Sequence, residues 1–249
     1  CAKLIEVYFP EAGILEVGAH AFDNAVKLGN VRNIEKVLSI GDYAFARTDI
    51  RHVENSPNAV VGEGAFFRSK LEYAVIGEGA TFGMGAFQSC TYLKTVSMPV
   101  NGGVKFGEAC FAYDTSLQSI DLSKMTEIAA QAFYGCTSLK TVNLAEVVEI
   151  GDYAFSDCAG LGYVTFPKVV SIGEGAFGRN ATDGGAPVIS DINLPNTLKF
   201  LGEGAFIGCE GLTSVTIPSS LDEVNNFAFA YCLNLQTVVL PDTVKRVGL

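Results

Sequence analysis

Apolar residues return along this chain at fixed places, and one pair sets the register. Ala-Phe occurs at Ala21-Phe22, Ala44-Phe45, Ala65-Phe66, Ala86-Phe87, Ala132-Phe133, Ala154-Phe155, Ala176-Phe177, Ala205-Phe206 and Ala228-Phe229, with Cys110-Phe111 as a tenth member. Successive Phe lie 23, 21, 21, 24, 22, 22, 22, 29 and 23 residues apart. Self-similarity at a period of this size is the mark of a solenoid, in which each repeat is one supersecondary unit.

The remaining columns follow from the Phe. Five residues before it stands Val17, Ile40, Val61, Phe82, Phe106, Ile128, Ile150, Ile172, Leu201 or Val224, usually with Gly next. Three after it comes a small residue, six after it Leu, nine after it Val or Ile, and eleven after it an apolar residue often followed by Pro, as in Phe166-Pro167 and Ile217-Pro218. The Val-x-apolar stretch alternates with a period of two, which predicts a strand with one face buried. Pro ends that strand because it has no N–H for a ladder. The Gly after Ile suits a tight corner. No long helical periodicity appears. Each repeat is therefore expected to be one strand, a turn, a short extended or 3₁₀ segment carrying Ile-Gly and Ala-Phe, and a second turn. The repeats that run on from Phe45 and Phe66 are 21 residues long, with Ile50 and Leu71 one place early, so strand register is least determined there. A single repeat buries too little to offset its ordering entropy and gains stability only from stacked neighbours.

The text from Leu139 to Phe155, LKTVNLAEVVEIGDYAF, and from Leu212 to Phe229, LTSVTIPSSLDEVNNFAF, shows these columns in step. On that text the sequence resembles the BspA-like leucine-rich repeats of bacterial surface proteins, over nearly its whole length. The resemblance implies a curved solenoid of leucine-rich-repeat type, with a parallel β-sheet on its concave side, short 3₁₀ or extended segments on its convex side and little α-helix. It also implies a cell-surface or secreted location. Residues 1–249 read as one such solenoid of about ten repeats. Cys1, Leu4, Val7, Phe9 and Pro10 fall on established columns, and Val244, Val247 and Gly248 begin another repeat, so the chain is expected to open and close in mid-repeat.

Composition removes several function classes. The chain is 49% hydrophobic and 18% charged, with a formal net charge of −10. No Lys/Arg cluster is present to meet phosphates, so a nucleic-acid partner is not expected. No run of about 18 apolar residues occurs, so this segment is not expected to insert in a membrane. Six of the seven Cys occupy the small-residue column: Cys1, Cys90, Cys136, Cys158, Cys209 and Cys232. Elsewhere that column holds Ala25, Thr48, Ser69, Asp114 and Asn180. The shared property is a small side chain that fills a corner and in most cases hydrogen-bonds a turn's backbone, so these thiols are expected to be structural. No Cys pair has metal-ligand spacing, and neither metal nor cofactor is expected. Dinucleotide, Walker, zinc-protease and nucleophile-elbow motifs are absent, and His20 and His52 fall in different repeats with no evident nucleophile. No catalytic residue is therefore assigned.

With chemistry excluded, binding rests on what faces outward. The residues flanking the Val column form a polar band on the open sheet face, and Lys94, Ser97, Asp121, Lys140, Asn143, Tyr163, Thr165, Asp191 and Asn193 are its candidate ligand contacts. The 29-residue spacing after Phe177 adds about seven residues within Asn180 to Ser190. Insertions of this kind map to one rim of a solenoid, often the binding rim. This makes Asn180, Asp183, Gly184 and Gly185 a candidate rim loop. The expected function is a non-enzymatic binding or adhesion module for a protein or glycan, acting through the concave sheet face and this loop. The alternative is a structural spacer in a larger surface protein, without a ligand of its own.

Overall fold

A computed structural model describes residues 1–12, 16–180, 185 and 187–248. The chain divides into two compact units, Cys1–Asp121 and Leu122–Leu249. Each is a stack of coils whose strands pair in parallel with the equivalent strands of neighbouring coils.

The Val column forms strands, as its alternation predicts. In the first unit Glu6–Tyr8 pairs with Asn30–Arg32, and His52–Glu54, Tyr73–Val75, Thr95–Ser97 and Ser119–Ile120 pair in that order. The register through the short repeats keeps Val53, Ala74 and Val96 in one row. In the second unit Thr141–Asn143 pairs with Tyr163–Thr165, and Ser214–Thr216 with Thr237–Val239. The Ile-Gly segment is also a strand in every coil, only two residues long. Five such strands, from Glu16–Val17 to Lys105–Phe106, build a second sheet in the first unit. Four, from Glu127–Ile128 to Phe200–Leu201, do so in the second. Of the two forms expected for this segment, the extended one prevails. The described residues contain one 3₁₀ turn, Ile34–Lys36, and no α-helix.

The Ala-Phe segment that follows is a chain of turns with a left-handed residue two places before each Phe: His20, Tyr43, Gly64, Gly85, Ala109, Gln131, Tyr153, Gly175, Gly204 and Phe227, with φ between 53° and 60°. The left-handed residue and the Phe donate their N–H to the next coil, as in Tyr43 N–H to Glu63 O at 2.8 Å and Phe45 N–H to Ala65 O at 2.8 Å. The Ala between them bonds back within its own coil, Ala44 N–H to Gly41 O at 3.2 Å. Local strain of about 1–2 kcal/mol per non-glycine residue is thus offset by hydrogen bonds that only a stacked neighbour supplies.

The column Gly answers to close approach rather than to a special φ. A Cβ on Gly41 would stand 2.5 Å from Ala19 N, and one on Gly202 would stand 2.4 Å from Gly173 C. Backbones of successive coils touch there.

The core is a set of internal rows. Phe22, Phe45, Phe66, Phe87 and Phe111 stack with centroids 5.1–5.7 Å apart. In the second unit Phe133, Phe155, Phe177, Phe206 and Phe229 do the same at 5.2–5.7 Å. The small-residue column lines a corner beside them. Cys90, Cys158, Cys209 and Cys232 each donate S–H to the Phe carbonyl of the preceding coil, at 3.1–3.3 Å. All seven cysteines are free.

Candidate functional site

Two coils of the second unit are closed on one side and open on the other. Ser171 pairs with Phe200, Ile172 with Leu201, and Phe177 stacks on Phe206 at 5.2 Å, so the coils are one spacing apart there. On the Val-column side the rungs cease. In the preceding coil the strand is entered and left by cross-coil bonds, Gly162 N–H to Lys140 O at 3.1 Å and Leu144 N–H to Thr165 O at 3.0 Å; the first unit has a like break, with Asn30–Arg32 and His52–Glu54 in different sheets. Among the described residues no such bond joins Tyr163–Thr165 to Asp191–Asn193, or Asp191–Asn193 to Ser214–Thr216.

This corrects one sequence expectation. Asp191 and Asn193 flank a buried residue, Ile192, as expected, but their segment is not a strand. The insertion brings the chain in over Ala159 and Gly162: a Cβ on Gly185 would stand 2.6 Å from Ala159 Cβ, and one on Gly162 would stand 3.7 Å from Val188 Cγ2.

The opening leaves a cavity of about 310 Å³, lined by Ala145, Tyr163, Val164, Thr165, Phe166, Pro167, Asp191 and Asn193. Of the nine sheet-face candidates, it gathers Tyr163, Thr165, Asp191 and Asn193. Tyr163 is 57% exposed. Among the described residues none of these four side chains has a hydrogen-bond partner in the protein, so a ring, a hydroxyl, a carboxylate and an amide are free for a ligand. Next in sequence to Ala145 and Pro167, Glu146 and Lys168 pair at 2.6 Å, and the Lys168 ammonium holds the Glu146 carboxyl below its ordinary range.

The other candidates lie elsewhere. Asn143 is in register with Thr165 on the neighbouring strand, and Lys140 is exposed just before that strand. Lys94, Ser97 and Asp121 belong to the first unit, with Lys94 and Asp121 exposed and Ser97 half-buried. Asn180 donates its N–H to Asp157 Oδ1 at 2.8 Å. It lines two hollows with Arg179, Ile207 and neighbouring turn residues, away from Tyr163. Gly185 is exposed. Asp183 and Gly184 lie outside the described residues.

The first unit carries sheet-face aromatics that the sequence reading left aside. His52 and Tyr73, in register, stack at 5.2 Å with ring planes 8° apart. Arg32 lies over the Tyr8 ring at 5.5 Å. The signal was present, since His52 and Tyr73 both stand one place before the Val column.

Among the described residues no group of three or more His, Cys, Asp or Glu converges to hold a metal ion, and no helix is long and apolar enough to cross a membrane. Burial pushes the thiols of Cys90, Cys110, Cys158, Cys209 and Cys232 up, away from nucleophilic thiolates. Tyr153 donates to the Glu174 carboxylate, and this bond pushes its hydroxyl up to about 12. His20 is exposed and pairs with Asp23 at 3.1 Å.

The model of a BspA type leucine-rich repeat region matches residues 1–94, 59–182 and 186–249, in six copies. Three solved structures are similar at 20% identity each. A leucine-rich repeat protein from Eubacterium ventriosum has a TM-score of 0.55, covering 97% of this chain and 80% of its own. One from Bacteroides ovatus has 0.52, covering 100% and 76%. A leucine-rich cell surface protein from Faecalibacterium prausnitzii has 0.50, covering 95% and 79%. At this identity the likeness is one of fold. No protein of curated function matches the chain.

Proposed function

The chain belongs to the BspA-type leucine-rich-repeat family, and from that premise we propose that it is a non-enzymatic binding or adhesion module of a surface-exposed or secreted protein. One observation carries the reading: Tyr163, Thr165, Asp191 and Asn193 surround an opening in a sheet closed by rungs in the preceding coil, and none has a side-chain hydrogen-bond partner among the described residues. Polar groups placed so around an exposed aromatic ring are the usual makings of a recognition site. The partner is a protein or a glycan that meets the open sheet face. A nucleic acid fits poorly, because the net charge is −10 and no basic stripe exists. The location is supported by the cell-surface description of the similar F. prausnitzii protein.

The test is a screen of the chain against arrayed glycans and secreted host proteins, followed by the triple variant Tyr163→Ala, Asp191→Ala, Asn193→Ala. The variant is expected to weaken the captured partner at least about tenfold, or about 1.4 kcal/mol, with an unchanged melting temperature. Unchanged affinity removes this site. Silence of the wild type across the screen favours the spacer reading instead.

A further inference from the structure

The opening at Tyr163 has the size and the polar inventory of a site for one sugar ring. Its walls close to a single coil spacing at Phe177–Phe206, where the rings stack at 5.2 Å. On that side Ser171 still pairs with Phe200, so the two coils part on the Val-column face. The gap is therefore a wedge, closed on its Phe side. Its volume of about 310 Å³ lies at the small end for ligand cavities.

The chemistry narrows the occupant further. Tyr163 and Asp191 hold equivalent places on successive coils, as do Thr165 and Asn193. The four offer an aromatic face, two hydroxyls, an amide that both donates and accepts, and a carboxylate that accepts. A sugar matches this mixture, because each of its hydroxyls donates and accepts while its C–H face is apolar enough to lie on a ring. A Lys or Arg side chain would use the carboxylate and the ring but leave the Asn193 amide hydrogens and the hydroxyl hydrogens unserved. An acidic sugar would meet Asp191 and a chain of net charge −10.

We propose that this cavity binds one neutral six-membered sugar unit, stacked on Tyr163 and hydrogen-bonded by Asp191, Asn193 and Thr165. The proposal rests on the binding reading above and names the ligand class for that same site.

The test uses the ¹⁵N-labelled chain titrated with the methyl glycosides of glucose, galactose, mannose and N-acetylglucosamine. At least one is expected to shift the amides of Tyr163 to Phe166 and of Asp191 to Asn193 saturably, with Kd of about 1 mM, the weak end expected for a single small ligand. Tyr163→Ala and Asp191→Ala are each expected to weaken it about tenfold, with the rest of the spectrum unchanged. Absence of shifts with all four glycosides overturns the proposal. So does a response that survives Tyr163→Ala, or a stronger response of the same amides to Nα-acetyl-lysine methylamide. A protein partner captured in the screen, with these amides unmoved by every glycoside, overturns the sugar assignment and leaves the binding reading standing.

Discussion

Phe155→Ala tests whether the stacked rows carry the stability. Phe155 is fully buried, with Phe133 on one face at 5.2 Å and Phe177 on the other at 5.3 Å. Burying a Phe removes about 200 Å² from water, worth about 5 kcal/mol at 25 cal/mol per Å² as an upper bound. The Ala retains part of that, and a coil stacked on both sides collapses poorly onto a cavity, so a loss of about 4 kcal/mol is expected. Phe229 provides the internal comparison. It is partly exposed and stacks on Phe206 at 5.7 Å, so Phe229→Ala is expected to lose about 2 kcal/mol. The assay is urea unfolding followed by circular dichroism and tyrosine fluorescence, the chain having no Trp. Both midpoints should fall, by amounts in a ratio near two. A loss below about 1 kcal/mol for Phe155→Ala, or equal losses for the two variants, would refute the claim that the rows hold the coils together.

Three further outcomes follow from the same geometry. Gly41→Ala should cost about 1–3 kcal/mol, because its Cβ would meet Ala19 N at 2.5 Å. Gly18→Ala, with nothing within 4 Å, should stay within about 0.5 kcal/mol of wild type, and thermal melts separate the two. Asp114 is fully buried; burial pushes its carboxyl well above the ordinary range, against the Cys90 N–H bond that lowers it, and Oδ2 has no partner among the described residues. The folded chain keeps a proton that the unfolded chain releases near pH of about 3.9, so this group's contribution falls as pH rises from there towards the folded value. Asp114→Asn should therefore gain on wild type as pH rises from about 4 to 7, and urea midpoints across that range check it. Cys1 is exposed and the other six thiols are buried, so a thiol-modifying reagent should label Cys1 alone in the native protein and all seven after unfolding.

Much of this fold is written in residue types. Phe155, Ile150 and Leu161 occupy columns whose burial any strand-and-turn coil requires, and the structure buries all three. The small-residue column was also legible, because Cys, Ser and Thr share a small volume and a donor. Other features have no residue signature. The left-handed corner before each Phe accepts His20, Tyr43, Ala109, Gln131 and Phe227 as readily as Gly64. It is fixed by bonds to the next coil and not by local preference. The Gly of the Ile-Gly pair was read as a corner residue, whereas the distance from Gly41 to Ala19 gives the reason. At the candidate site the 29-residue spacing announced an insertion and the band named Tyr163, Thr165, Asp191 and Asn193. What the spacing did not reveal is that the ladder opens there. The Val column is preserved in type at Ile192, while the backbone bonds that make a strand are not.

The opening itself is the central structural claim, and amide hydrogen exchange tests it most directly. Leu144 N–H bonds Thr165 O at 3.0 Å and Ile217 N–H bonds Val239 O at 2.9 Å, while the equivalent amides of Phe166 and Leu194 have no cross-coil acceptor among the described residues. Exchange at Phe166 and Leu194 should be at least about tenfold faster than at Leu144 and Ile217, the mark of rungs missing between these coils. Equal protection at all four amides would mean that the ladder runs unbroken past Tyr163 and that no cavity opens beside it.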